Sequence, residues 1–528
     1  MMKRLALFAA ALAAFTAASG QIRLGDGQLS GSFETNSIAY VNDSALGETP
    51  DDHFGSNSYI KADYSYKRFS VGLQADAYLP ALQGYEVGTR AGQYKFYVSS
   101  KYIQWQDKNY SILVGDIFDQ FGNGLILRTF EDRQLGFNNS IEGIRAGYDF
   151  GGYVQVKALW GRPRLYTKYA GSWVRGADLS VSIADIAGWN QTLLQLEGSY
   201  VNRFEHTDKA SFFDLSPNVD MFSGRLNFGY KGFSLRGEYV HKSKDLATAS
   251  SEPGRGQAVF AELGYGIKGF SFSGTFRMID RMAAMISLDA GGTGNILNYL
   301  PSLTRQYTYM LANLEPYQVN ADGEIAGQAD VYYTLRNPQN RQKYWIFHAN
   351  YSRSHVLRTD QSKTGRREMM WQEVSVDVER QWNKKWKTSL LYAYQEWNPT
   401  HGVLHQTNVS HIFVGDATCK FDRRKSLRFE VQYLYSQDYQ GDWIAGLVEF
   451  SLAPSWSFFV QDMYNLEATP DNGNKKINYY NGGVSYTHSR TRVQLSYGRN
   501  RAGYICSGGV CRYSPAYTGV CLQLTSSF

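Results

Sequence analysis

Arg225-Leu226-Asn227-Phe228-Gly229-Tyr230-Lys231-Gly232-Phe233-Ser234-Leu235-Arg236-Gly237-Glu238-Tyr239 decides the fold class. Leu226, Phe228 and Tyr230 alternate with Arg225, Asn227 and Gly229. After Lys231-Gly232, Phe233, Leu235, Gly237 and Tyr239 alternate with Ser234, Arg236 and Glu238. A period of two puts the apolar set on one face of a pleated strand and the polar set on the other. A two-residue link containing Gly between two such runs marks a hairpin. The stretch reads as two antiparallel strands with one face for lipid and one for water.

The unit recurs in both directions along the chain. Val259, Ala261, Leu263, Tyr265 and Ile267 lead through Lys268-Gly269 into Phe270, Phe272, Gly274, Phe276 and Met278. Val374, Val376 and Val378 oppose Ser375, Asp377 and Glu379 before Asn383-Lys384-Lys385. Phe429, Val431, Tyr433 and Tyr435 oppose Arg428, Glu430 and Gln432. A soluble sandwich also alternates, but two features favour a membrane barrel. The outer positions are aromatic at both strand ends, as interfacial girdles require. Short turns near 67, 108, 151, 232, 268, 384, 424, 454 and 490 are interleaved with longer polar loops at 41–57, 163–174, 205–218, 243–255, 356–368 and 500–514. That asymmetry belongs to bacterial outer-membrane barrels. The expectation is an all-β transmembrane antiparallel β-barrel of about 22–24 strands, within a range of 18–24, with long outer loops.

Composition agrees. Tyr 39, Phe 29, Trp 11 and Gly 51 stand beside only 12 Pro, and a net charge of +6 is small for 528 residues. No basic tract points to nucleic acid. Lys3 and Arg4, the apolar run Leu5 to Ala18 and the small residues Ala18-Ser19-Gly20 form the three parts of a signal peptide over 1–20. The mature chain, 21–528, is then the barrel. The last strand carries Val520, Leu522 and Leu524 at two-residue spacing and ends on Phe528, with Ser526 interrupting the apolar set. This resembles the sorting signal read by the barrel assembly machinery. The last strand must also pair with the first, near 27–40, to leave no edge in lipid. Cys506 and Cys511 enclose Ser-Gly-Gly-Val and are expected to form a disulfide in an oxidising compartment. Cys419 and Cys521 lie in strand patterns as single thiols. Two close thiols without further ligands are too few for a metal, and no metal or cofactor is expected.

The segment Gly115-Asp116-Ile117-Phe118-Asp119-Gln120-Phe121-Gly122-Asn123-Gly124-Leu125, continuing through Leu127-Arg128 to Glu131-Asp132-Arg133 and Asn138-Asn139-Ser140-Ile141, resembles a family of outer-membrane barrel proteins described only as a domain of unknown function. Asn298-Tyr299-Leu300-Pro301 and Gly509-Val510-Cys511-Arg512-Tyr513 are similar to it too. The resemblance implies a barrel in the outer membrane and adds no catalytic residues.

Two stretches break the hairpin rhythm. At about 119–138, Arg128, Glu131, Asp132 and Arg133 are candidates for a lumen constriction, where opposed charges orient polar solutes; a solvated surface loop is the alternative. At about 282–327 the chain is too long and too apolar for a hairpin connection, so it either plugs the barrel or covers its mouth, unless it hides two further strands. The glycines at 291–294 lack the Lys-Ser/Thr of a phosphate loop. Ser354-His355 and Ser410-His411 are sequence neighbours and face opposite sides of a strand, and Asp51-Asp52-His53 reads as a hydrated loop tip. The chain is not expected to be an enzyme. Strand patterns begin near Leu29, which leaves no room for the plug domain of an energised receptor. The expected function is a passive or loop-gated channel for small polar solutes. The alternative is a non-conducting scaffold that binds partner proteins in a secretion or assembly complex. Expected contacts are outer-membrane lipid, the barrel assembly machinery, and polar solutes or partner proteins.

Overall fold

A computed structural model describes residues 22–47, 53–86, 95–246, 252–340, 342–507 and 510–528. The signal-peptide stretch and Asp51-Asp52 lie outside the described residues. Twenty-four antiparallel strands close one barrel, and two short pieces, Ile22–Leu24 and Lys168–Tyr169, extend the same sheet. Each barrel strand pairs with its sequence neighbours. Closure comes from the first strand, Gly27–Val41, running against the last, Tyr517–Ser527, from Ser32↔Ser527 to Val41↔Thr518. Beyond that register, Gly31 and Phe528 exchange backbone hydrogen bonds at 3.0 and 3.1 Å, so the terminal residue completes the seam.

The deciding hairpin forms as the sequence requires. Tyr230 pairs with Phe233, and Arg225 with Glu238. Lys231 and Gly232 have φ of 44° and 84°, the left-handed pair a two-residue turn needs to match the strand twist. A Cβ on Gly232 would lie 2.3 Å from the Gly266 carbonyl, so the turn also depends on close approach of the next strand.

The connections divide by end. On the side holding both chain termini they run from two to nine residues, and on the other side from seven to 42. Outward positions form an apolar belt: Leu73, Ile103, Val114, Val376, Leu390, Val431 and Val460 are all exposed side chains. Aromatic rings gather near the short turns, with Phe69 over Trp105 at 6.0 Å and Trp456 against Tyr486 at 4.6 Å. Arg380 stacks between Trp345 and Trp382 there, at 4.1 and 3.6 Å. Trp160 on Trp173, at 4.8 Å, marks the opposite rim. No helix is long and apolar enough to cross a membrane among the described residues; the strands make the crossing.

Candidate functional site in the barrel lumen

The interior is not an open tube. The 42-residue connection between the strands Phe270–Asp280 and Gly323–Arg336 folds inward. The second strand starts at Gly323, so residues 323–327 of the expected 282–327 stretch belong to the wall, and no barrel strand forms within 281–322. The two ends of the segment meet at a neck, where Arg281 and Met282 donate their N–H groups to Asp322 and Ala321 carbonyls at 3.0 Å. Met282, Ile286 and Leu297 are fully buried against Val201, Met221, Val240 and Ile279 of one wall. Leu311 and Ala312 pack against Leu391, Ile412, Leu434 and Trp443 of another. The segment therefore spans the lumen.

Irregular backbone away from water must find partners for its polar groups, and the inner wall supplies them. The carbonyls of Ala283, Met285 and Ile286 accept from Lys242 Nζ (2.7 Å), Arg203 Nη1 (2.7 Å) and Ser172 Oγ (2.6 Å). Further on, Gln432 Oε1 accepts from the Leu311 N–H at 2.9 Å, and Gln395 Nε2 donates to the Ala312 carbonyl at 3.1 Å. The Tyr307 hydroxyl donates to Glu373 at 2.9 Å, and Arg305 pairs with Asp377. Asn298 ties three strands of chain together: it accepts from the Ala284 N–H and donates to the carbonyls of Met282 and Leu125.

A buried anchor fixes the return of the segment. Arg277 Nη2 pairs with Glu324 at 2.6 Å, with side chains 1% and 0% exposed. Arg277 also donates to the Pro301 carbonyl, and Glu324 accepts from the Tyr317 hydroxyl and the Asn320 N–H. Burial, then the Glu324 charge, pushes the Tyr317 hydroxyl well above its ordinary pKa, so it stays a donor.

The 118–140 connection folds in beside this segment. Phe121, Leu125, Ile126 and Leu127 are buried in the same core. The Arg128 N–H donates to the Leu297 carbonyl and Tyr299 donates to Gly124, both at 2.8 Å. Asp119 pairs with Lys157 at 2.7 Å, and Asn123 donates to Glu238 at 2.8 Å. The four charged residues singled out in the sequence separate into different roles. Arg128 turns away to stack on Tyr299 at 3.8 Å and Phe130 at 4.7 Å. Asp132 accepts from the Leu135 N–H and braces the turn. Only Glu131 and Arg133 come together, at 3.4 Å, where Arg133 also pairs with Glu34 at 2.7 Å and lies over Tyr59 at 4.6 Å.

A family model matches residues 2–528. The chain belongs to the family of unknown function DUF6029. No curated protein matches it. Solved barrels similar to this DUF6029 chain include the P pilus usher PapC translocation pore, at 10% identity over 94% of this chain and 99% of that one, with a TM-score of 0.46. OccAB4 of Acinetobacter baumannii is 11% identical over 78% and 99%, with a TM-score of 0.42. The siderophore receptor PirA of Pseudomonas aeruginosa is 9% identical over 96% and 81%, with a TM-score of 0.41.

The DUF6029 barrel also tucks in its last outer hairpin. Cys506 and Cys511 form a disulfide, and Ile505 and Val510 pack on Leu135 and Phe137 of the 118–140 connection. Cys419 and Cys521 are free and buried. In the terminal strand Val520, Leu522 and Leu524 share one face, and the Phe528 ring lies over Gly31. Between the hairpin, the connection and the seam strands lies a cavity of about 540 Å³, and a second of about 350 Å³ lies between the 302–317 stretch and Glu373 and Gln395. Sequence reasoning missed Lys242, Arg203, Arg277 and Glu324. In the alternation they look like any hydrated lumen position, and only the unexplained apolar length of 282–327 signalled that something inside would need partners.

Proposed function

We propose that this barrel sits in the outer membrane, surrounded by its lipid, as a gated channel for small polar solutes. The plug that closes it is its own 281–322 segment. One observation carries the reading: a segment with no barrel strand crosses the lumen and is held there chiefly by side chains of the wall. A barrel this wide cannot be filled by wall side chains alone. Below the segment the wall is polar and charged, with Arg225 between Asp178 and Glu197 at 2.6 Å each and Arg428 beside Asp416 and Glu430. Such a wall suits water and polar solutes once the plug moves. No catalytic step is part of this reading, and the alternating last strand ending in Phe528 is the signal for the assembly machinery.

The scaffold reading has an observation of its own. Ile286, Leu297 and Leu311 are fully buried in the lumen, as in a permanently closed core. Replacing 284–320 with a short Gly/Ser linker separates the two. The neck residues and every barrel strand remain, and conductance in planar bilayers should go from silent to open. A deletion form that stays as silent as the wild type, with assembly confirmed by heat-modifiable gel mobility, would exclude the plug role and favour the scaffold.

A further inference from the structure

The cavity of about 540 Å³ at the seam has a chemistry of its own. Its size falls in the range of about 300–1,000 Å³ typical of small-molecule sites. One side is the pair of seam strands, where Asn36 lies opposite Gln523 and Glu34 opposite Thr525. Asn36, Gln523 and Thr525 line the cavity and make no side-chain hydrogen bond among the described residues. Tyr40 and Tyr517 cap the row, edge to face at 5.6 Å. Across the space stand Arg133 and Arg512, each held in place by partners of the protein. Arg133 is paired with Glu34. Arg512 donates to the carbonyls of Gln134 and Gln83 and stacks on Tyr85 at 4.1 Å. Alongside the row, Asn57 and Tyr59 also line the cavity.

We infer that this cavity binds a neutral, hydroxyl-rich ligand, a saccharide of one or two rings. Free amides and a free hydroxyl supply paired donors and acceptors, and the tyrosines supply apolar faces for the C–H side of a sugar ring. The guanidiniums are held by the protein, Arg133 on Glu34 and Arg512 on two carbonyls, so the unbonded neutral groups Asn36, Gln523 and Thr525 carry the recognition. This names the solute class for the channel and rests on that reading for its biological sense, but binding itself requires no conduction.

Saturation-transfer NMR on the full-length protein in detergent tests it, with glucose, maltose and glucuronate as probes. Glucose or maltose should give transfer signals stronger than glucuronate. N36A/Q523A should weaken binding at least tenfold while leaving heat-modifiable mobility unchanged. If that double variant does not assemble, T525V replaces it, with a severalfold loss expected. No signal from either neutral sugar, a stronger signal from glucuronate, or undiminished binding in a folded variant would overturn the assignment. Sugar binding by a protein that stays silent after plug deletion would retain the site and reject the channel.

Discussion

Replacing Arg277 with Met should release the plug without disrupting the barrel wall. Glu324 would then be left buried, still accepting from the Tyr317 hydroxyl and the Asn320 N–H but without its counter-charge. Removing one partner of a buried pair costs about 3–5 kcal/mol. At about 1.36 kcal/mol per factor of ten, the ratio of docked to undocked segment should fall by roughly 10²- to 10⁴-fold. The loss falls on docking because the wall strands around Arg277 and Glu324 keep their ladders, paired from Gln257↔Asp280 to Ile267↔Phe270 and from Phe270↔Tyr333 to Asp280↔Gly323. Hydrogen exchange reads the two separately. The amides of Met282, Leu297 and Tyr299, bonded to Ala321, Ala284 and Gly124, should exchange faster by about that ratio, while the strands Gly254–Ile267 and Phe270–Asp280 stay protected. Adding Glu324→Gln removes the stranded charge and keeps an acceptor for Tyr317, so R277M/E324Q should recover much of the protection. Unchanged exchange over 282–322 in R277M, or equal loss across the wall strands, would refute the anchor.

Cysteines placed at Arg366 and Lys384, at opposite barrel ends, should differ in labelling of intact cells, with Arg366→Cys reactive and Lys384→Cys protected; the reverse would invert the topology. Intact mass should show Cys506 and Cys511 oxidised in the native protein. Cys511→Ser should destabilise only the hairpin, by about 2 kcal/mol for so short a loop, seen as faster exchange at 503–514 with the barrel unaffected. In the outer loops, the Thr364 hydroxyl (2.6 Å) and His405 (2.8 Å) hold the Glu368 carboxyl below its ordinary pKa. A depressed carboxyl contributes stability above its unfolded value, about 4.3, and loses it as pH falls through the folded value. Exchange protection of 359–368 should therefore drop on acidification through that window, and Glu368→Gln should remove the pH dependence.

Strand alternation and turn chemistry are local, so the sequence shows them directly. Lys231-Gly232 and Lys268-Gly269 are the turns of the barrel, and the loop lengths separate its two ends. The pairing of Gly27–Val41 with Tyr517–Ser527 follows too, because a barrel in lipid tolerates no free edge. The apolar content of 282–322 shows that it must pack somewhere. What it packs against is not local. Lys242, Arg203, Arg277 and Glu324 alternate along their strands like any lumen residue, and become anchors only because a distant segment brings carbonyls, a hydroxyl and an amide within reach of them. Arg128, Glu131, Asp132 and Arg133 are neighbours in sequence, yet Arg128 stacks on Tyr299 while Arg133 pairs with Glu34, nearly a hundred positions away. The period of two assigns each of these side chains a face, but partners across the lumen are chosen by closure of the ring and inward folding of the loops, which depend on the whole chain at once.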